Sequence, residues 1–151
     1  MWESLPWLLE RYEVFHVVGQ GHLSTDHQER FNTLGYLQYE YVKEGFAELL
    51  AQAHLVVCRA GANAIAELIA LQKPALLVPL STHSSRGDQA LNAEGFVDQG
   101  GGQTVINELF TKETLINLIE NLEEHYSEHQ QSLAALPYAD SSNMILDLFD
   151  Q

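Results

Sequence analysis

The sequence predicts an α/β fold built on parallel strands, and three observations carry that reading. Short apolar runs alternate along the chain with stretches whose apolar residues recur at helical spacing. The runs are continuous rather than alternating, as in strands covered on both faces. The length of 151 residues and the 46% apolar content suit one globular domain.

The elements follow in order. Trp2, Leu5, Leu8 and Leu9 recur at helical spacing, and Pro6 is acceptable in a first turn, where an N–H has no helical partner. Residues 14–18, Val-Phe-His-Val-Val, form a strand ended by Gly19-Gln20-Gly21. The polar residues 22–32 read as a loop or short helix, and 34–37 as a weak strand. Over 42–53, Phe46, Leu49, Leu50 and Ala53 mark a helix, and the apolar residues 55–58 are the next strand. Gly61 opens a helix carrying Ile65, Leu68, Ile69 and Leu71, closed by Lys73-Pro74. Residues 75–78 form a strand stopped by Pro79, and 88–98 form a helix. Gly100-Gly101-Gly102 turns into a strand at 103–106, Thr111 caps a helix running to 124, and a last helix covers 143–149. No repeat or linker interrupts the chain, so residues 1–151 read as one unit with four to five parallel strands, Rossmann-like in class.

Charge excludes several functions. Twenty-one acidic residues against seven basic ones give a net charge of −14. That surface repels DNA and RNA backbones, whose binding needs clustered Lys and Arg, and offers no footing on anionic lipid. Nine of the carboxylates lie in 107–151 with Lys112 as the one base, a pattern of solvated helical faces. The single cysteine, Cys58, excludes an internal disulfide and sits in an apolar run, where a buried inert thiol is expected. No apolar stretch approaches the roughly 18–20 residues of a membrane span, and the first residues lack a basic-then-apolar leader. A cytoplasmic location is the expectation.

Two stretches carry chemistry. The first runs Val56-Val57-Cys58-Arg59-Ala60-Gly61-Ala62-Asn63-Ala64-Ile65-Ala66-Glu67 and reads as strand, tight turn of small residues, then helix. Small side chains at 60–62 let a ligand approach the backbone. The first helical turn offers N–H groups without helical partners, which together with the helix dipole favour an anion such as a diphosphate. Glu67, about one and a half turns further in, can accept two hydrogen bonds from a vicinal diol, as ribose-binding acids do. The competing reading is a helix whose small residues pack on the sheet, with Glu67 solvated.

The second stretch runs from Val78-Pro79 through a polar loop containing His83 and Arg86 to Asp88-Gln89-Ala90-Leu91-Asn92-Ala93. It again places a strand end, a loop and a helix start at the carboxyl edge of the sheet, where ligands bind in such folds. Asp88 and Gln89 together offer acceptors and donors for sugar hydroxyls, although Asp88 also suits a plain helix N-terminal position. Arg86 and His83 could neutralise a phosphate or stand solvated in the loop.

Other constellations are weaker. His22, Asp26 and His27, and His125 with His129, lack third and fourth ligands at a metal-binding spacing. His16, in an apolar strand, reads as a satisfied core histidine. Ser24, Ser84 and Ser85 lack the Gly-x-Ser-x-Gly elbow of a hydrolase. Gly100–Gly102 leads into a strand, not a helix, and reads as a turn rather than a phosphate loop.

Together these residues resemble the C-terminal, donor-binding half of the MurG-type glycosyltransferases, which use UDP-GlcNAc to complete lipid II in peptidoglycan synthesis. The signature is Arg59-x-Gly61-Ala62 with Glu67 six residues after the glycine, then Asp88-Gln89 followed by Asn92-Ala93. The resemblance implies a two-domain, GT-B type enzyme and inverting hexosyl transfer. By position it implies that Glu67 holds the ribose hydroxyls. Backbone N–H groups of Ala62, Asn63 and Ala64, beside Gly61, would face phosphate and sugar. Gln89 and Asp88 would bind the GlcNAc hydroxyls, and the backbone at Val42 or Lys43 would contact uracil. Ala64 lacks a hydroxyl that some members carry there, and Asp88 stands where others have glutamine.

The resemblance also implies what lies outside these residues. The family's acceptor-binding N-terminal domain has no counterpart here, and its usual first strand and Gly-Gly-Ser-x-Gly-Ala loop precede the point that matches Met1-Trp2-Glu3-Ser4. The expectation is therefore a donor-binding domain incomplete at its N-terminus and unable to transfer sugar alone. Sheet edges left open there would invite pairing with a second copy or another chain. No cofactor or metal is implied beyond the UDP-sugar donor, and the full enzyme would be peripheral at the inner face of the cell membrane. Two alternatives remain. One is a non-catalytic nucleotide-sugar-binding subunit of a split glycosyltransferase, paired with a membrane-attached acceptor subunit. The other is a UDP-GlcNAc epimerase, which needs a carboxylate and histidine set over the sugar ring that the sequence does not display.

Overall fold

The computed structural model describes residues 1–80 and 87–137 as two compact units, Met1–Phe46 and Ala47–Gln151. The expected helix at 143–149 and the loop residues His83, Ser84, Ser85 and Arg86 lie outside the described residues.

In the first unit a 3-10 turn, Trp2–Ser4, leads into helix α1 (Leu5–Leu9), with Pro6 in its first turn as expected. Strand β1 (Val14–Val17) follows, then α2 (Thr25–Phe31), a 3-10 turn at Asn32–Leu34 and strand β2 (Tyr36–Tyr39). Ser24 starts α2 by accepting a hydrogen bond from the His27 N–H, so the polar stretch resolves as a short capped helix. The strand expected at 34–37 begins at Tyr36 because Gly35 turns the chain with a φ of 90°, which no strand residue adopts.

Strands β1 and β2 pair in parallel, Val14 opposite Tyr36 and Val17 opposite Tyr39. One face packs on Leu5 and Phe31 through the fully buried Tyr36, with Trp2, Leu9 and Val14 around them. The other carries Phe15 stacked on Tyr39 at 4.6 Å, beside Val17 and Leu37, all exposed. The outer edge of β2 is occupied by Gln28, whose amide donates to the Tyr36 carbonyl and accepts from the Gln38 N–H, each at 3.2 Å. A side-chain amide thereby stands in for a neighbouring strand.

The second unit holds helix α3 (Phe46–Gln52, its first residue belonging to the first unit), strand β3 (Val56–Cys58) and helix α4 (Ala62–Ala70). Strand β4 (Ala75–Leu77), helix α5 (Asp88–Asp98), strand β5 (Gly102–Thr104) and helices α6 (Lys112–Glu124) and α7 (Tyr126–Ala134) complete it. The helix expected from residue 42 starts at Phe46, because Gly45 has a φ of 77° and breaks helical geometry.

The three strands are parallel in the order β3-β4-β5. Central β4 is buried throughout, and the pairing runs one residue past it, the Val78 N–H donating to the Cys58 carbonyl at 2.8 Å. Ala60, Leu68, Leu77, Ala93, Phe96 and Leu133 are among the core residues. Gly100 and Gly101 form the expected turn, whereas Gly102 already belongs to β5, one residue before the strand start read from the sequence, and all three are closely packed. A side chain at Gly101 would lie 2.6 Å from the Phe96 ring, and one at Gly102 would run into the Ala75 carbonyl. Thr111 caps α6 by accepting from the Thr114 N–H at 3.2 Å, and that helix buries Leu115, Ile119 and Leu122 along one stripe.

Candidate functional site

Parallel pairing puts the carboxyl ends of β3, β4 and β5 on one edge of the second unit's sheet. The segments leaving that edge are Arg59-Ala60-Gly61, Val78-Pro79-Leu80 and Val105-Ile106-Asn107. Both sequence stretches singled out for chemistry converge there, at the starts of α4 and α5.

Helix α4 begins after Gly61, which has φ −71° and ψ 144° and supplies no side-chain cap. Any residue could adopt that conformation, and a Cβ there would meet nothing within 4 Å. Neither backbone strain nor packing calls for glycine at 61. What its smallness leaves is open space over the first turn. Ala62 and Asn63 are exposed there, Ala64 is half-buried, and Ala60 beneath is fully buried.

Glu67 is exposed on α4. Its charge reaches Cys58 on the adjoining strand: burial first, and Glu67 second, push that thiol up to about 11. Cys58 is thus a protonated, unreactive thiol at neutral pH.

Helix α5 starts after Gly87, whose φ of 84° places the left-handed turn that admits the chain to the helix. Asp88 is its exposed first residue and Gln89 is half-buried. The Gln89 Oε1 accepts the Leu80 N–H at 3.0 Å, which orients the amide. Asp88 and Gln89 thus stand side by side at the start of α5. Asn92, one turn on, donates to the Ala60 carbonyl at 3.1 Å and ties α5 to the turn before α4.

Arg59 was read in the sequence only as part of a motif. Its Nη1 donates to the Val78 carbonyl at 3.0 Å and to Asn107 Oδ1 at 2.8 Å. The roles of Asn92 and Arg59 depend on partners 32 and 48 positions away, and no local pattern signals them.

Val42 lies in the first unit, outside any helix or strand. Its neighbours Tyr41 and Lys43 line an open cleft of about 550 Å³ with Leu23, Gln38, Tyr39 and Glu40. Glu40 also accepts the Gly21 N–H at 2.6 Å, tying the β1 exit loop to the end of β2.

Four of the histidines have hydrogen-bond partners for their side chains in the fold. His16 Nδ1 lies 3.1 Å from the Tyr36 hydroxyl, and its burial lowers its pKa. His27 Nδ1 meets Ser24 Oγ at 2.6 Å, while His125 and His129 meet the carbonyls of Asn121 and Gly100 at 2.9 and 2.8 Å. Among the described residues, no three His, Cys, Asp or Glu side chains are grouped to hold a metal, and no helix is long and apolar enough to cross a membrane.

Residues 2–144 match the model of the glycosyltransferase family 28 C-terminal domain. The chain belongs to that family. The UDP-N-acetylglucosamine–N-acetylmuramyl-(pentapeptide) pyrophosphoryl-undecaprenol N-acetylglucosamine transferase of Lachnoclostridium phytofermentans is 37% identical over 147 residues, 97% of this chain and 41% of that protein. The protein of the same description from Geobacillus thermodenitrificans is 41% identical over 145 residues, 96% of this chain and 40% of its own length. The crystal structure of Acinetobacter baumannii MurG superposes with a TM-score of 0.67 at 25% identity, covering 97% of this chain and 44% of that one. The chain thus spans about two-fifths of the length of the curated relatives it matches.

Proposed function

We propose that this chain binds UDP-GlcNAc and supplies the donor half of an enzyme that transfers GlcNAc to lipid I, forming lipid II. The observation that carries the reading is the start of α4: an uncapped first turn, open space above Gly61, and Glu67 further along the same helix. The N–H groups of Ala62, Asn63 and Ala64 would hold the diphosphate, and Arg86, two residues before Asp88 in the sequence, would add charge. Glu67 would accept the ribose hydroxyls. Gln89 would donate to a GlcNAc hydroxyl while Asp88 accepts from one. The backbone at Val42 would contact uracil.

In the transfer, the acceptor's sugar hydroxyl gives its proton to a base supplied by the acceptor-binding domain and attacks the anomeric carbon of the donor as the bond to the diphosphate breaks. UDP leaves from the opposite face, so the configuration inverts. Helix N–H groups aimed at the departing diphosphate stabilise its growing charge, so no metal or cofactor is required. The acceptor would be held by a further domain, of the kind that the longer relatives' lengths allow, at the cytoplasmic face of the membrane. The relatives' names supply the substrates of this reading, and the two motifs in order support it.

The test is calorimetric titration of the chain with UDP, UDP-GlcNAc and UDP-glucose. Binding of UDP, strengthened by the GlcNAc moiety, is the expected result. An equal or undetectable response to all three would leave a relative in fold only.

A further inference from the structure

We propose that Arg59 and Asn107 form a clamp that positions the backbone of residues 60–64 for its anionic ligand. This inference rests on the donor-binding reading. Both hydrogens of the Arg59 Nη1 group are committed, one to the Val78 carbonyl at 3.0 Å and one to Asn107 Oδ1 at 2.8 Å. Arg59 directly precedes the buried Ala60 and the open Gly61, Val78 ends the β4 pairing, and Asn107 follows β5. One guanidinium therefore joins the exits of three adjacent parallel strands.

The chain needs such a tie at this point. Ala60, Gly61 and Ala62 have no side chain that can hydrogen-bond, and α4 has no side-chain cap. The position of the first-turn N–H groups is set from outside the segment, by Asn92 on the Ala60 carbonyl and by Arg59 across the strand ends. A guanidinium suits this role because its planar donors stay charged and fixed while satisfying two acceptors. The arrangement also turns that nitrogen away from direct phosphate contact. Arg59 is thus a positioning residue, acting on the ligand through the backbone it holds.

The experiment compares the wild-type chain with Asn107→Ala, Asn107→Asp and Arg59→Met, each confirmed folded by circular dichroism at the temperature of measurement. Two readouts are taken: UDP affinity by calorimetry, and amide hydrogen exchange of residues 60–64 with residues 14–17 as the internal reference. Asn107→Ala and Arg59→Met are expected to weaken UDP binding about three- to tenfold and to speed exchange at 60–64 several-fold, with 14–17 unchanged. Asn107→Asp keeps an acceptor and is expected to stay within about twofold of wild type in both. Unchanged affinity in Asn107→Ala overturns the proposal even if exchange rises. So does tighter binding, which would mean that the freed guanidinium reaches the anion itself. Equal damage by Asn107→Asp and Asn107→Ala also overturns it. A wild-type chain that takes up no UDP overturns the donor-binding reading instead. Exchange at 60–64 then decides whether the clamp holds this backbone.

Discussion

Replacing Glu67 by alanine tests the donor site at the side chain assigned to the ribose. The magnitude follows from the place of Glu67 on α4. It lies five residues beyond Ala62, about 7.5 Å along the axis at 1.5 Å per residue. At that separation a carboxylate repels each phosphate charge at the first turn by roughly 0.5 kcal/mol in water. Against this stand the hydrogen bonds from the ribose diol, about 1.5–3 kcal/mol net for a charged acceptor. The two phosphates of UDP together offset roughly 1 kcal/mol, so Glu67→Ala should cost about 0.5–2 kcal/mol of UDP affinity, a rise of roughly 2- to 30-fold in Kd. Alanine is a strong helix former, so α4 should remain intact.

The assay is isothermal titration of both proteins with UDP and with 2′,3′-dideoxy-UDP. The loss should appear with UDP and vanish with the dideoxy ligand, since the hydroxyls that Glu67 would accept are then absent. A second readout comes from Cys58, whose thiol is held high by burial and then by the Glu67 charge. Glu67→Ala should lower that pKa and leave burial as the remaining cause. Equal losses for the two ligands, or none for UDP, would refute the assignment of Glu67 to the ribose.

Three further outcomes follow from the same structure. The Cys58 thiol is raised from 9.0 to about 11, so its protonated form contributes stability that is fully present below pH 9 and lost as pH rises through about 11. Cys58→Ala should flatten the loss of urea-unfolding stability measured across that window. The buried Tyr36 hydroxyl, raised from 10.0 to about 12, leaves a residual loss from pH 10 to about 12 that overlaps the upper half of this window. His16 is held below its ordinary 6.5 by burial first and the positive N-terminus second, so its contribution is present above pH 6.5 and falls away in more acid solution. Its imidazole carbon-bound proton should titrate below 6.5 by NMR, and a value at or above 6.5 would refute the half-buried, neutral placement. Gly102→Ala should destabilise the second unit by more than about 2 kcal/mol in chemical denaturation, because its φ of 149° and the neighbouring Ala75 carbonyl both exclude a Cβ. Wild-type stability in that variant would show that the β4–β5 approach is looser than described.

What the sequence made legible depended on how local each signal is. Helix α5 at 88–98 and the Thr111 cap of α6 stand where expected, because a cap and an apolar stripe are written within a few residues. Strand β2 and the start of α3 shifted because Gly35 and Gly45 take positive φ, a choice available to glycine but not dictated by it. Helix α7 has no place in the order of elements read from the sequence, since Leu133 is its one buried residue and no apolar stripe marks it. The open turn over Gly61 was likewise legible, being a run of small residues between a strand and a helix. The clamp through Arg59 and Asn107 was not: it exists only once parallel pairing brings the exits of three strands together.

That non-local layer also narrows what the site can recognise. Read as sequence, Asp88-Gln89 is an undirected pair of polar side chains. In the fold, the Leu80 N–H occupies one lone pair of the Gln89 oxygen, which favours the Gln89 NH₂ as the group offered to a ligand, while a carboxylate at Asp88 only accepts. A hydroxyl can accept from the first and donate to the second, whereas an ether oxygen satisfies only Gln89 and a carbon-bound hydrogen satisfies neither. The start of α5 is therefore polarised toward hydroxyl groups, as the start of α4 is polarised toward anions. A ligand that joins an anionic group to a hydroxyl-bearing ring fits both, and each half can be tested separately, by dideoxy ligands at Glu67 and by deoxy-sugar donors at Gln89.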